Sequence, residues 1–236
     1  MRVACLISGG KDSMLALHKA SEKYRIVTLV SIFSKNRESY MFHTTNLNLV
    51  DAIALSLELP LFKTIVSGEE EKEVEELSDQ LSVLNVDGVV IGGIKSNYQK
   101  RRFQKIAEKI GVELISPLWG MDENELLREV SEKFNAIIVK TSAMGLDESY
   151  LGRRIDNELL SSLKELNLRY GINVSGEGGE YETLVLDAPL YKKRIEILET
   201  EIERDGLSFE LKVKGFKLVD KQPKKQTIWN PRGKFY

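Results

Sequence analysis

Apolar and polar positions along the first half of the chain alternate between two rhythms. Val3–Ile7 is a short apolar run ending at Ser8-Gly9-Gly10, the pattern of a buried strand. Asp12–Tyr24 follows, with Met14, Leu15, Leu17 and His18 at helical spacing. Ile26–Phe33, rich in β-branched residues, is the next strand. Leu47–Leu59 is a helix closed by Pro60, and Leu61–Val66 a strand. Glu69–Leu84 is helical, its acids concentrated early, where the helix dipole favours them. Gly88–Ile91 is a strand running into Gly92-Gly93. Asn97–Ile110 is a basic helix ending at Gly111, and Glu113–Ser116 a short strand before Pro117. Repeated strand–helix alternation with short links predicts an α/β fold. Its core would be a doubly wound, mostly parallel, five-stranded sheet with helices on both faces. Ligands of such sheets sit outside the carboxyl ends of the strands, near a switch in strand order.

The rhythm changes after Met121. Glu123–Lys133 reads as a helix, Ala136–Lys140 as a strand and Asn157–Tyr170 as a helix. A Gly/Glu-rich loop then leads into a strand at Thr183–Leu186. Arg194–Arg204 and Leu207–Val219 flank Asp205-Gly206, a hairpin signal. This part reads as a smaller α+β domain. The expected division is residues 1–133 and 134–236, with the boundary somewhere in 120–150. The tail 221–236 is basic, with Trp229 and Tyr236 among its aromatics, and reads as a solvated end or a contact for an acidic partner.

Charge and composition narrow the function classes. Lys+Arg is 34 and Asp+Glu is 36, a net charge of −2 over 236 residues, which argues against stable nucleic-acid binding as the main task. The lone Cys5 excludes an internal disulfide and any multi-cysteine metal site, and the two histidines, His18 and His43, make a His-rich zinc site improbable. No targeting segment and no long apolar span is visible, so a cytoplasmic protein is expected. A homodimer is an allowed state.

Chemistry concentrates at Ser8-Gly9-Gly10-Lys11-Asp12-Ser13, between the first strand and the first helix. Adjacent glycines let backbone amides converge, the helix N-terminus adds partial positive charge, and Lys11 with two hydroxyls completes an anion cradle. Neither the Walker A pattern nor the dinucleotide fingerprint fits. The loop matches that of the N-type ATP pyrophosphatases, which implies cleavage between the α- and β-phosphates of ATP. Lys11 and Asp12 are the expected catalytic residues, Asp12 steadying the loop or a Mg²⁺ carried by ATP. The backbone near Phe33, Gly92 and Gly93 is expected to meet the adenine. A second loop, Gly176-Glu177-Gly178-Gly179-Glu180-Tyr181-Glu182-Thr183, crowds three glutamates together. It reads either as a solvated acidic turn or as a site for a cation.

Taken with Ser96-x-Tyr98-Gln99-x-x-Arg102 and Ser116-Pro117-Leu118-Trp119, these loops resemble the diphthine–ammonia ligases, in their short archaeal-type form. The resemblance covers nearly the whole chain, with Gln104 departing from an acidic position of the family pattern. It implies an adenine nucleotide alpha-hydrolase-like sheet domain, ATP and Mg²⁺ as cofactors, and adenylation of diphthine on elongation factor 2. Ammonium would then displace AMP to give the amide of diphthamide. His43, Ser96, Tyr98, Gln99 and Arg102, with Glu177, Gly178, Gly179, Glu180, Tyr181, Glu182 and Thr183, are the expected substrate-binding residues. Tyr181 would offer a ring face to the quaternary ammonium of diphthine. Cys5, inside an apolar strand, reads as a buried structural thiol, which favours free ammonium as nitrogen donor. The rivals are a tRNA-modifying enzyme built on the same loop and a non-catalytic ATP-binding module.

Overall fold

The computed structural model describes residues 1–34, 46, 49–69, 72–93 and 97–221. Five strands form one sheet: β1 (Arg2–Leu6), β2 (Arg25–Ser34), β3 (Leu61–Val66), β4 (Gly88–Val90) and β5 (Glu113–Ile115). Their order is β3-β2-β1-β4-β5, and every pairing is parallel. The helices between them are α1 (Lys11–Ser21), α2 (Val50–Leu57), α3 (Glu73–Leu81) and α4 (Asn97–Ile110).

The period of two along β1 divides the core. Val3, Cys5 and Ile7 pack with Met14 and Leu17 of α1 and Ile53 of α2. Ala4 turns the other way, into a cluster with Leu77 and Leu81 of α3 and Phe103 and Ile106 of α4. Helices therefore cover both faces, as the near-continuous apolar strands require. The expected doubly wound sheet is what forms.

A second sheet follows α5 (Glu123–Lys133), whose N-cap Asp122 accepts from the amides of Asn124 and Glu125. Its strands are β6 (Asn135–Thr141), β7 (Tyr181–Asp187), β8 (Lys193–Asp205) and β9 (Ser208–Asp220), in the order β7-β6-β9-β8, all antiparallel. Helix α6 (Asn157–Tyr170) starts at the Asp156 cap and ends at Gly171, which takes the left-handed φ of 70°. Asp205-Gly206 turns the β8–β9 hairpin, as its residues predict.

The two sheets are not separate bodies. One apolar cluster runs from Val3, Leu17 and Ile53 to Leu184, Tyr191 and Val213. Helix α1 contacts β7 and helix α2 contacts β8, so this helix layer is covered from both sides. The α5 helix, expected in the first part, packs with β6.

Candidate active site

Strands β1 and β4 lie side by side, yet the helices that follow them go to opposite faces of the sheet. Their carboxyl ends therefore open the crevice where such sheets bind ligands. The loop Ser8–Ser13 leaves β1 there, and Ile91-Gly92-Gly93 leaves β4. Phe33 stands near the end of β2, on the other side of β1.

Local bonds hold the first loop. The Ser8 amide reaches Ser13 Oγ at 3.3 Å, the two serine hydroxyls lie 3.3 Å apart, and Ser13 Oγ donates to the Gly10 carbonyl at 3.0 Å. Gly9 has φ +86°, a conformation strained for any residue with a side chain, and a Cβ there would also press on Ile53 Cδ1 at 2.8 Å. Gly92 faces a stricter limit: its Cβ would lie 2.8 Å from both the amide nitrogen and the Cα of Ser13. The β4 loop can thus approach the start of α1 only with glycine at that place.

The second loop meets the first directly. β7 is an edge strand, and its free side is covered by the glycine loop. The Val185 amide donates to the Gly9 carbonyl at 2.9 Å, and the Lys11 amide donates to Thr183 Oγ1 at 3.0 Å. Pairing begins at Tyr181, earlier than the apolar pattern suggests, because Tyr181 opposes Thr141 and Glu182 opposes Lys140 on β6.

Two side chains stand otherwise than expected. Lys11 is only 3% exposed; its Nζ pairs with Asp12 Oδ2 at 2.8 Å and lies 5.4 Å from the centre of the Tyr181 ring. Its charge is thus engaged within the protein, since a buried ammonium needs partners. Tyr181 is buried as well, and its hydroxyl donates to the Val174 carbonyl at 2.8 Å. It supports Lys11 rather than presenting an open aromatic wall. Burial first, then the charges of Asp12, Glu180 and Glu123, push its phenol well above the usual tyrosine range, so it stays protonated.

The glutamates are fixed differently from one another. Glu180 Oε1 accepts the Asn173 amide at 2.9 Å, while its Oε2 is buried without a hydrogen bond among the described residues. Glu182 pairs with Lys140 at 3.2 Å across the strands, and Glu177 is half-buried. Gly178 and Gly179 are exposed, and Gly179 has φ +85°. Asn173 also reaches Glu123 Oε1 with its amide group, at 3.4 Å. Sequence reasoning missed Asn173 and Glu123. They come from the residues after α6 and from the start of α5, and no local pattern marks either.

At the start of α4, Arg102 is buried against the ring of the half-exposed Tyr98, 4.7 Å from its centre. Gln99 lies beside Gly93, its Oε1 3.8 Å from where a Cβ would be. Lys100 sits 3.8 Å over the Trp119 ring. His43, Ser96, Trp229 and Tyr236 lie outside the described residues.

Asp12 Oδ1 is buried with no hydrogen-bond partner among the described residues, although Oδ2 is taken by Lys11. No cluster of three metal-ligating side chains exists among those residues. One carboxylate oxygen beside a phosphate loop suits Mg²⁺, which commonly binds through one or two carboxylates and the phosphates themselves. Cys5 is buried, and burial pushes its thiol up to about 12, so it is an inert core group. No helix among the described residues is long and apolar enough to cross a membrane.

Residues 1–114 match the family model of the diphthamide synthase N-terminal domain, and residues 122–221 that of its C-terminal domain. The diphthine–ammonia ligase of Rattus norvegicus is 35% identical over 85% of this chain and 84% of its own length. That of Homo sapiens is 35% identical over 86% of this chain and 85% of its own. That of Danio rerio is 37% identical over 85% and 88%. A solved structure described as a predicted subunit of tRNA methyltransferase from Methanocaldococcus jannaschii shares 17% identity, with a TM-score of 0.44, covering 80% of this chain and 98% of that one. Likeness of that degree says nothing about function. Both family models match in chain order, they meet where the two sheets do, and the relatives align over most of their lengths. The chain belongs to the diphthamide synthase family.

Proposed function

We propose that this chain is an ATP-dependent diphthine–ammonia ligase acting on elongation factor 2 in the cytoplasm. The observation that carries the reading is the joint between the two loops. The strand leading out of the acidic loop is hydrogen-bonded to the Ser8–Ser13 loop, which supports a cationic acceptor near Glu177–Glu182 beside a nucleotide held by that loop. The acceptor carboxylate attacks the α-phosphorus, the bond to the bridging oxygen breaks, and pyrophosphate leaves. Ammonia then attacks the acyl carbon, the bond to AMP breaks, and the nitrogen gives its surplus proton to solvent.

The chain's own groups act by position and charge. The first-turn amides of any helix lack intrahelical acceptors; that of Lys11 goes to Thr183, and those of Asp12 and Ser13 are the ones proposed to meet phosphate oxygens. Lys11, held by Asp12 and Tyr181, stands beside the site where charge builds on the leaving group. Asp12 would hold the Mg²⁺ of ATP, which supplies charge neutralisation. Phe33, Gly92 and Gly93 would border the adenine, while Tyr98, Gln99 and Arg102 would flank the acceptor; His43 and Ser96, outside the described residues, are further candidates for contacting it. The fixed carboxylates of Glu180 and Glu182 would attract the quaternary ammonium. Ammonium serves as nitrogen donor because the single thiol is buried.

The test is to incubate the protein with ATP, ammonium and diphthine-bearing elongation factor 2, following AMP and the mass of the acceptor. AMP should form only when all three are present, with the mass change of carboxylate to amide. ATP binding without AMP or mass change would favour a nucleotide sensor. Glu180→Gln keeps an acceptor for the Asn173 amide but removes the charge. It should slow modification by on the order of tenfold while ATP affinity stays near wild type.

A further inference from the structure

The geometry points to Thr183 as a positioning residue of the phosphate loop rather than a substrate contact. It caps α1 in trans and so fixes the loop to the strand that carries the acidic site. This rests on the proposed ATP chemistry. Helix α1 begins at Lys11, and its N-cap residue, Gly10, has no side chain to cap it. Two other helices are capped locally, α5 by Asp122 and α6 by Asp156, each accepting first-turn amides, whereas α2 and α3 have no side-chain cap of their own. At α1 the cap comes from 172 residues away, where Thr183 Oγ1 accepts the Lys11 amide at 3.0 Å.

The substitution of a distant cap for a local one has a physical reason. A local Ser or Asp at position 10 would need a Cβ, and that Cβ would lie 3.3 Å from the Thr183 carbonyl. A glycine there lets β7 come close, and β7 returns the lost cap from its own side chain. The second bond, from the Val185 amide to the Gly9 carbonyl at 2.9 Å, prevents the loop from pivoting about the first. Gly9, Gly10 and Lys11 are thereby held in register with Tyr181 and Thr183, and the Lys11 ammonium is placed over Tyr181 by the same contact. Displacing the strand displaces the amides that would grip phosphate, so Thr183 couples the two loops through the Lys11 amide.

The experiment compares the wild type with Thr183→Val, which keeps the shape and removes the acceptor, and Thr183→Ser, which restores it. The first readout is hydrogen exchange at the Lys11 amide, which needs no ligand. It should be slow in wild type and T183S and faster in T183V. The second is ATP affinity, by calorimetry with Mg²⁺ well below the melting temperature. T183V should bind about fivefold to tenfold more weakly, the loss expected of one helix cap, and T183S should bind as wild type. Equal protection of the Lys11 amide in all three proteins overturns the proposal. So does T183V binding ATP as tightly as wild type, or T183S binding as poorly as T183V. If T183V does not fold, T183S with an unprotected Lys11 amide overturns it equally. A wild type that binds no ATP would defeat the parent reading, and the exchange data would still decide the role of Thr183.

Discussion

Single atoms decide much of this site. A Cβ on Gly92 would strike the backbone of Ser13, whereas one on Gly93 would, among the described residues, meet nothing nearer than Gln99 Oε1 at 3.8 Å. Gly92→Ala should therefore cost about 1–3 kcal/mol as overpacking against an immovable neighbour, and Gly93→Ala far less. Thermal melts of the two variants check this, and equal losses would contradict it. His18 gives a second residue-level expectation. Its Nδ1 lies 2.7 Å from the Met14 carbonyl and must donate to it, while its Nε2 accepts the Leu190 amide at 3.2 Å, so the ring is neutral. Burial lowers its pKa from 6.5 to about 4. The folded state thus prefers the unprotonated ring. The stabilisation is whole above pH 6.5 and is lost as pH falls towards 4, by on the order of 3 kcal/mol. Unfolding free energy should fall more steeply over that window in wild type than in His18→Gln; parallel curves would refute it.

At the scale of elements, α2 ends on Glu58, a non-glycine residue at φ 55°, exposed to solvent and capping through its amide to Ala54 and Leu55. Glycine adopts that conformation without strain, so Glu58→Gly should raise stability by about 0.5–1 kcal/mol, seen as a higher denaturation midpoint. No gain would mean that the left-handed turn costs nothing at this place. The elements themselves were largely legible. Val3–Ile7, Leu61–Val66 and Asn97–Ile110 carry their period in adjacent residues, and Asp205-Gly206 carries its turn in two. The ends were less so. The first helix starts at Lys11 rather than Asp12 and stops at Ser21 rather than Tyr24, and β7 starts at Tyr181 because β6 supplies its partners. Burial of Lys11 and Tyr181 was not legible. It depends on a strand 170 positions away in the chain, and such pairings leave no periodic trace. The same holds for the bonds from Asn173 to Glu180 and Glu123.

Across the whole molecule, the first sheet, the second sheet and the helix layer between them share one apolar cluster. Polar ties add to it: Lys19 with Glu129 at 2.6 Å, and the Lys192 amide with the Ser56 carbonyl at 2.6 Å. Calorimetry should show one cooperative transition, shifted upward as a unit by ATP. Two endotherms, only one of them moved by nucleotide, would mean that the sheets unfold independently. The bond between Lys11 and Thr183 has a further consequence in time. A ribosome delivers the glycine loop 172 residues before the threonine that braces it. At about 5–20 residues per second, the first sheet waits on the order of ten seconds or more without its clasp. A half-made chain therefore carries the Gly9-Gly10 loop without its brace, and under the proposed function it would not grip ATP until the strand bearing Thr183 has been synthesised.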